Sequence, residues 1–205
     1  ASFDCFIILD FQVTSGANVK TAEIIEFPWV VFDIPTQRTV DEKQILIRPE
    51  ETKALSEECM RDTGILDHML EGACSLKFSV ETFDDYVTRS IVGCNKRFCI
   101  VTWDELTLKN HLWSDTKSKG IKVPSHFHQF LDLSVEFNKF YPQGDIYDVH
   151  DMAERMGLGF DRAIKGGLQI CRAISGILSR MVSEGSQFTS IKTIPADYDP
   201  AHDAV

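Results

Sequence analysis

The sequence has no cysteine pair in C-x-x-C spacing, no internal repeat, no apolar run near bilayer length and no excess of basic residues. Each absence closes off a class of protein. A membrane-spanning helix needs roughly 20 consecutive apolar residues, so no helical membrane anchor is expected within this sequence. Six cysteines (Cys5, Cys59, Cys74, Cys94, Cys99, Cys171) lie mostly in apolar runs. That placement suits reduced thiols of an intracellular protein rather than a disulfide framework, and no Cys/His quartet has zinc-ligand spacing. Acids outnumber bases, 31 to 21, for a net charge of −10. Proteins that hold nucleic acid by its phosphates usually present a basic face. An acidic total therefore argues against tight RNA binding by this domain alone, while a local basic patch stays compatible with it.

What remains is the composition of one globular domain. The chain has 205 residues, 43% of them hydrophobic and 25% charged, enough to bury roughly 70% of its unfolded surface. It enters a strand-like run directly after Ala1, so any targeting segment would lie outside this sequence. The expected location is intracellular, cytoplasmic or nuclear, with an organelle left open.

Three β-rich runs come first: Phe3 to Val13, Ile24 to Ile34 and Arg38 to Ile47. Ser15-Gly16 and Pro35 mark the connections, and short links between sequential strands predict an antiparallel meander. The first two runs are almost continuously apolar, as strands covered on both faces are. Helical spacing follows. Leu55-Ser56-Glu57-Glu58 opens a short helix that Thr63-Gly64 stops. Phe83, Tyr86, Val87 and Ile91 share one face of a helix over Ser79 to Ile91. Arg97 to Trp103 reads as a fourth strand, reached through helices and so parallel to the first. A helix over Asp104 to Trp113 is expected next, then an irregular helical stretch from Ser125 to Tyr141. Val149 to Met156 and Leu168 to Val182 read as the last helices, with Leu168, Cys171, Ile174 or Ser175, and Leu178 on the buried stripe. The organisation expected is a domain over residues 1–184 and an extended tail over 185–205. The fold class is α/β with a mixed sheet, and such sheets carry their sites at the carboxyl ends of strands. Asp10 stands at the end of the first.

Several segments have an order and spacing that belong together: ILDFQVT (Ile8 to Thr14), EIIEFPWVVFD, RPE (Arg48 to Glu50), LSEEC (Leu55 to Cys59) and TGI (Thr63 to Ile65). They continue with VTWDELTLKNHL (Val101 to Leu112), then Pro124, Phe127 and Phe137, and GLGF (Gly157 to Phe160) through GGLQICRAISGIL (Gly166 to Leu178). This series resembles the DEDD-type 3′-5′ exonucleases of the histidine subclass, most nearly the exoribonucleases that trim histone messenger and small interfering RNAs. The resemblance implies a ribonuclease-H-like fold and a two-metal reaction. Paired divalent ions, Mg2+ or Mn2+, activate a water and stabilise the leaving oxygen of a phosphodiester. Four carboxylates hold such hard ions, and a histidine deprotonates the water.

The sequence departs from that pattern at most of those positions. Asp10 is retained. Gln12 stands where the first motif has Glu, and Thr107 falls at the Asp of the second when no gap is allowed. Aligning the third motif on Gly167 puts Lys165 at the histidine and Ile170 at the last Asp. A shorter loop would make Trp103-Asp104 the second motif instead, leaving Asp10 and Asp104 as residual metal candidates. The plain reading of Asp104 is a helix N-cap. Lys165 has two readings, an ammonium balancing Asp10 or a solvated loop lysine. The six histidines (His68, His111, His126, His128, His150, His202) read as structural, and Phe127, Phe130 and Phe137 as core.

A general base contributes about 10²- to 10⁴-fold and metal-borne electrostatics usually more. No catalytic residue, and no cofactor, is therefore expected, with Mg2+ or Mn2+ entering only if activity persists. Three functions follow. One is a pseudo-nuclease docking a protein partner in an RNA-handling assembly; another is a non-cleaving RNA binder using the old groove. The third is a weakly active metal-dependent 3′-5′ exoribonuclease rebuilt on Asp10, Gln12 and Asp104.

Overall fold

The structure is a computed structural model that describes residues 2–17, 19–141 and 146–202. Among the described residues seven strands make one sheet in the order β2-β3-β1-β5-β6-β7, with β4 also paired to β3. The strands are β1 (Cys5–Leu9), β2 (Gln12–Val13), β3 (Ile24–Asp33), β4 (Arg38–Leu46), β5 (Phe98–Thr102), β6 (Gln129–Asp132) and β7 (Ile191–Thr193). β3 runs antiparallel to β1, β2 and β4, while β1, β5 and β6 are mutually parallel. The antiparallel opening and the parallel fourth strand are as the sequence pattern predicts.

Helices cover both faces. On β1, Phe6 and Ile8 face a core shared with α4 (Leu133–Phe140), α5 (Val149–Arg155) and α6 (Gly167–Ser183). Cys5, Ile7 and Leu9 face the opposite core, built with α2 (Leu76–Tyr86) and the segment leading into α3 (Trp113–Ser118). This two-sided burial is why the run has no polar alternation. The predicted caps of the first helix, α1 (Glu57–Thr63), are in place. Ser56 Oγ accepts the Cys59 N–H at 3.0 Å, and Gly64 ends the helix at φ 72°, where a side chain would be strained.

Two expectations are corrected. The stretch from Ser125 to Tyr141 is not continuously helical. A turn over Ser125–Phe127 leads into strand β6, and Asp132 then caps α4 by accepting the Val135 N–H. Phe130 and Leu131 point to opposite cores, as neighbours on a strand do. A buried strand of four residues is too short for its period to show. The stretch after Gly185 is extended but is not a separate tail. β7 pairs antiparallel with β6, and Phe188 and Ile194 are buried in the two cores. Lys192 bonds Asp132 at 2.8 Å, and Asp199 pairs with Lys117. A segment rich in Pro, Asp, Ser and Thr lacks periodicity, yet it finishes the sheet edge. Residues 203–205 of the expected tail lie outside the described residues.

Behind β3 sits a buried charge cluster. Lys119 Nζ lies 2.9 Å from both Glu23 and Asp115, and all three side chains are almost wholly enclosed. Glu23 also accepts the backbone N–H groups of Glu50, Glu51 and Thr52, and Asp115 that of Ile24. The cluster ties the start of β3 to the loop before α1.

Candidate active site

The parallel strands β1, β5 and β6 end at the same side of the sheet, at or beside Asp10, Asp104 and Asp132. Their neighbours settle what each carboxylate can do. Asp132 is buried and committed to Ser134 Oγ (2.6 Å), the Val135 N–H (3.2 Å) and Lys192. Asp104 accepts the N–H groups of Leu106 and Thr107 at 3.1 and 3.3 Å, so it caps the following helical segment. Burial, with Asp132 nearby, raises its pKa.

Asp10 follows the last residue of β1, and its position is fixed from behind by α6. A Cβ on Gly167 would lie 2.2 Å from the Asp10 carbonyl oxygen and 2.8 Å from Pro28 Cγ. Only glycine permits that approach. Glu26, fully buried on β3, completes the joint by accepting the N–H groups of Gly167 and Leu168, both at 2.9 Å, and the Gln44 amide at 3.1 Å. A carboxylate at the first N–H groups of a 17-residue helix is stabilised by the helix dipole.

The Asp10 side chain accepts the Gln12 amide, Nε2 to Oδ2, at 2.9 Å. Burial pushes its carboxyl pKa up to about 8; the Gln12 hydrogen bond opposes the rise, and the charges of Glu26 and Asp104 add to it. Asp10, Gln12, Lys165 and Ile170 line one recess of about 320 Å3, together with Trp103 and His150. Four of the five aligned motif positions thus converge. Thr107 does not line the recess; it is buried at the start of a π-helical turn over Thr107–Leu112.

Lys165 is exposed, and no ion pair joins it to Asp10 among the described residues. Its charge bears on His150 instead, where it acts with burial to lower the imidazole pKa. The His150 ring packs tilted against Phe160, centroids 4.6 Å apart, and keeps a buried, unpartnered Nε2. Glu26 and His150 were not singled out from sequence. For Glu26 the signal was there, one acid within the otherwise apolar run from Ile24 to Phe32. For His150 there was none.

Among the described residues no three His, Cys, Asp or Glu side chains come together as a metal-holding group. A larger recess of about 780 Å3, between the β2–β3 connection and residues 50–56, holds none of the motif positions.

The exonuclease (RNase_T) family model matches residues 7–165, from β1 to the loop before α6. This chain belongs to the exonuclease family. The exonuclease domain is 23% identical to the 3′-5′ exonuclease Snipper of Drosophila melanogaster over 92% of this chain and 73% of that protein. It is 25% identical to 3′-5′ exoribonuclease 1 of Rattus norvegicus over 90% of this chain and 55% of the relative. ERI1 exoribonuclease 2 of Xenopus laevis is 24% identical across 94% of this chain but only 30% of its own length. The domain therefore spans about half or less of several curated relatives. Among solved structures, the nuclease domain of 3′hExo, a DEDDh family member bound to rAMP, superposes with a TM-score of 0.88 at 22% identity. That alignment covers 95% of this chain and 99% of the other. Cell-death related nuclease 4 gives 0.79 at 20% identity, covering 98% of this chain and 84% of that one. The fold is the ribonuclease-H-like exonuclease fold expected from the sequence.

Proposed function

We propose that this exonuclease domain no longer cleaves RNA and serves as an intracellular docking module within an RNA-handling assembly. One observation carries the loss of catalysis: the donor set around Asp10 does not fit a pair of dications. Two hard ions need several carboxylate oxygens. Here the Asp10 carboxylate is bonded to a neutral amide, Ile170 lines the same recess, and Asp132 and Asp104 are bound to other partners.

The docking role rests on the retention of the whole frame, from the Gly167 contact to β7, without the chemistry it once held. A second reading, RNA held without cleavage, takes its support from a relative, since one solved neighbour is described as recognising the 3′ end of a histone mRNA stem-loop. Labelled single-stranded RNA incubated with Mn2+ tests both. No shortening, no salt-sensitive binding and a stoichiometric protein partner on affinity capture are expected. Shortening that Asp10→Ala abolishes would restore the enzyme, rebuilt on Asp10, Gln12 and Asp104. Binding without cleavage would favour the second reading.

A further inference from the structure

β4 is an edge strand of nine residues, and Arg38 to Gln44 along it are all exposed. β7, at the opposite end of the sheet, has only three residues, and so short an edge resists adding a strand. Among the described residues β4 pairs with β3 alone. Cys74 closes the edge only beyond its end, where it bridges Ile47 and donates its N–H to the Leu46 carbonyl at 3.2 Å. The exposed stretch leaves roughly 23 Å of strand edge open. Open edges of that length recruit another strand, with the side chains along them choosing which.

The register fixes which way those side chains face. Arg38, Asp41 and Lys43 stand opposite Asp33, Val31 and Trp29, every second position of β3, so all three share the α2 face. A bulge allows this spacing by leaving Val40, which is 55% exposed, with no residue opposite it on β3. Thr39 and Glu42 take the other face, where they bond Ser175 and Arg172 of α6. Asp41 is engaged as well: one oxygen accepts the Tyr86 hydroxyl at 2.8 Å and the other the Glu42 N–H at 2.9 Å. Arg38 and Lys43 are exposed and in no ion pair among the described residues. The edge of this acidic chain therefore offers two free cations, while both of its carboxylates are already bonded.

A second copy is a poor occupant. Laid antiparallel in full overlap, it would set Asp41 against Asp41 and Arg38 against Lys43, and like charges directly opposite are destabilising. The two bulges would also meet. A strand with carboxylates opposite the two cations removes the repulsion. We propose that the outer edge of β4 binds an extended acidic segment of a protein partner as an added strand, its backbone paired to β4 and its carboxylates set against Arg38 and Lys43. The inference gives the docking role proposed above a surface and a class of partner, and it rests on that role.

The probe is a fluorescein-labelled heptapeptide of threonine with glutamate at its second and sixth positions, which places both carboxylates on one face of a strand. Saturable anisotropy is expected, with amide exchange slowed across residues 38–44 and unchanged around Asp10. A peptide with lysine in place of glutamate should bind at least about tenfold more weakly, and the double variant Arg38→Glu, Lys43→Glu should reverse that order. N-methylation of alternate peptide residues should abolish binding in one of its two phases, because an added strand is held through every second N–H. Thermal melts confirm that the double variant folds. No saturable binding, binding that ignores the exchange of charge, or dimerisation through this edge in place of peptide uptake overturns the β4 surface alone. RNA shortening with Mn2+ that Asp10→Ala abolishes overturns the docking role and this inference with it.

Discussion

Replacing Asp10 by Asn should make the protein more stable at neutral pH, although Asp10 stands at the strand end where the exonuclease pattern places a carboxylate. Asn keeps the shape and still accepts the Gln12 amide, but it has no proton to gain on folding. In the native protein the carboxyl is raised from 3.8 to about 8. The unfolded chain thus releases a proton that the folded chain must take back. The sign follows from linkage: stability linked to this group is fully present below about pH 4 and is lost as pH rises towards 8. At 1.36 kcal/mol per unit, the upper limit of the loss is about 1.5 kcal/mol at pH 5, about 4 at pH 7 and between about 5 and 6 at pH 9. The side chain keeps some contact with solvent, which reduces each figure. The neighbouring charges of Glu26 and Asp104 are common to both proteins, so their effect largely cancels in the difference. Urea unfolding of wild type and Asp10→Asn at the three pH values measures the gap directly. It should be smallest at pH 5, at most about 1.5 kcal/mol, and widen with pH, giving a Tm difference of several degrees at pH 7. An Asn variant less stable than wild type at pH 7, or a gap that ignores pH, would refute the argument. Either result would mean an ionised Asp10 and a recess still fit for metal.

Gly167→Ala should lower stability by about 1–3 kcal/mol or prevent folding, because its methyl would meet the Asp10 carbonyl at 2.2 Å; a urea midpoint within error of wild type would contradict the close approach. Lys119→Met leaves Glu23 and Asp115 as buried, uncompensated carboxylates and should cost about 3–5 kcal/mol, read from the same unfolding curves. Removing residues 186–205 deletes β7 and the buried Phe188 and Ile194; a loss of at least about 3 kcal/mol is expected, where a detachable tail would change nothing. The threefold variant Gln12→Glu, Lys165→His and Ile170→Asp, all lining the recess with Asp10, should gain Mn2+ binding by calorimetry, whereas Gln12→Glu alone should not.

Elements with a full period were readable in advance. α6 has most of its predicted stripe, with Cys171, Ile174, Ser175 and Leu178 buried and Leu168 only partly so, and the two-sided burial of β1 and β3 follows from their almost continuously apolar runs. β6 was not readable, because Phe130 and Leu131 are the only two apolar residues in four. The convergence of Asp10, Gln12, Lys165 and Ile170 followed from motif order, since each stands at a strand end or helix start that the topology brings together. The position of Thr107 did not: Asp104 caps the following segment as expected, but no local pattern announces that the turn over Thr107–Leu112 is π-helical. His150 enters from α5, whose approach is set by its packing on α6 rather than by its own sequence.

The Glu26–Gly167 joint is made of backbone amides, one carboxylate and a missing methyl group, and it contains none of the side chains that would touch a reacting phosphate. Geometry and reactivity are consequently separate inheritances in this molecule. Substitutions at 12, 165 and 170 are therefore expected to leave the strand end and helix start locked in register. For the same reason, an engineer wishing to graft new chemistry here would find the mounting already aligned and need exchange only the fittings.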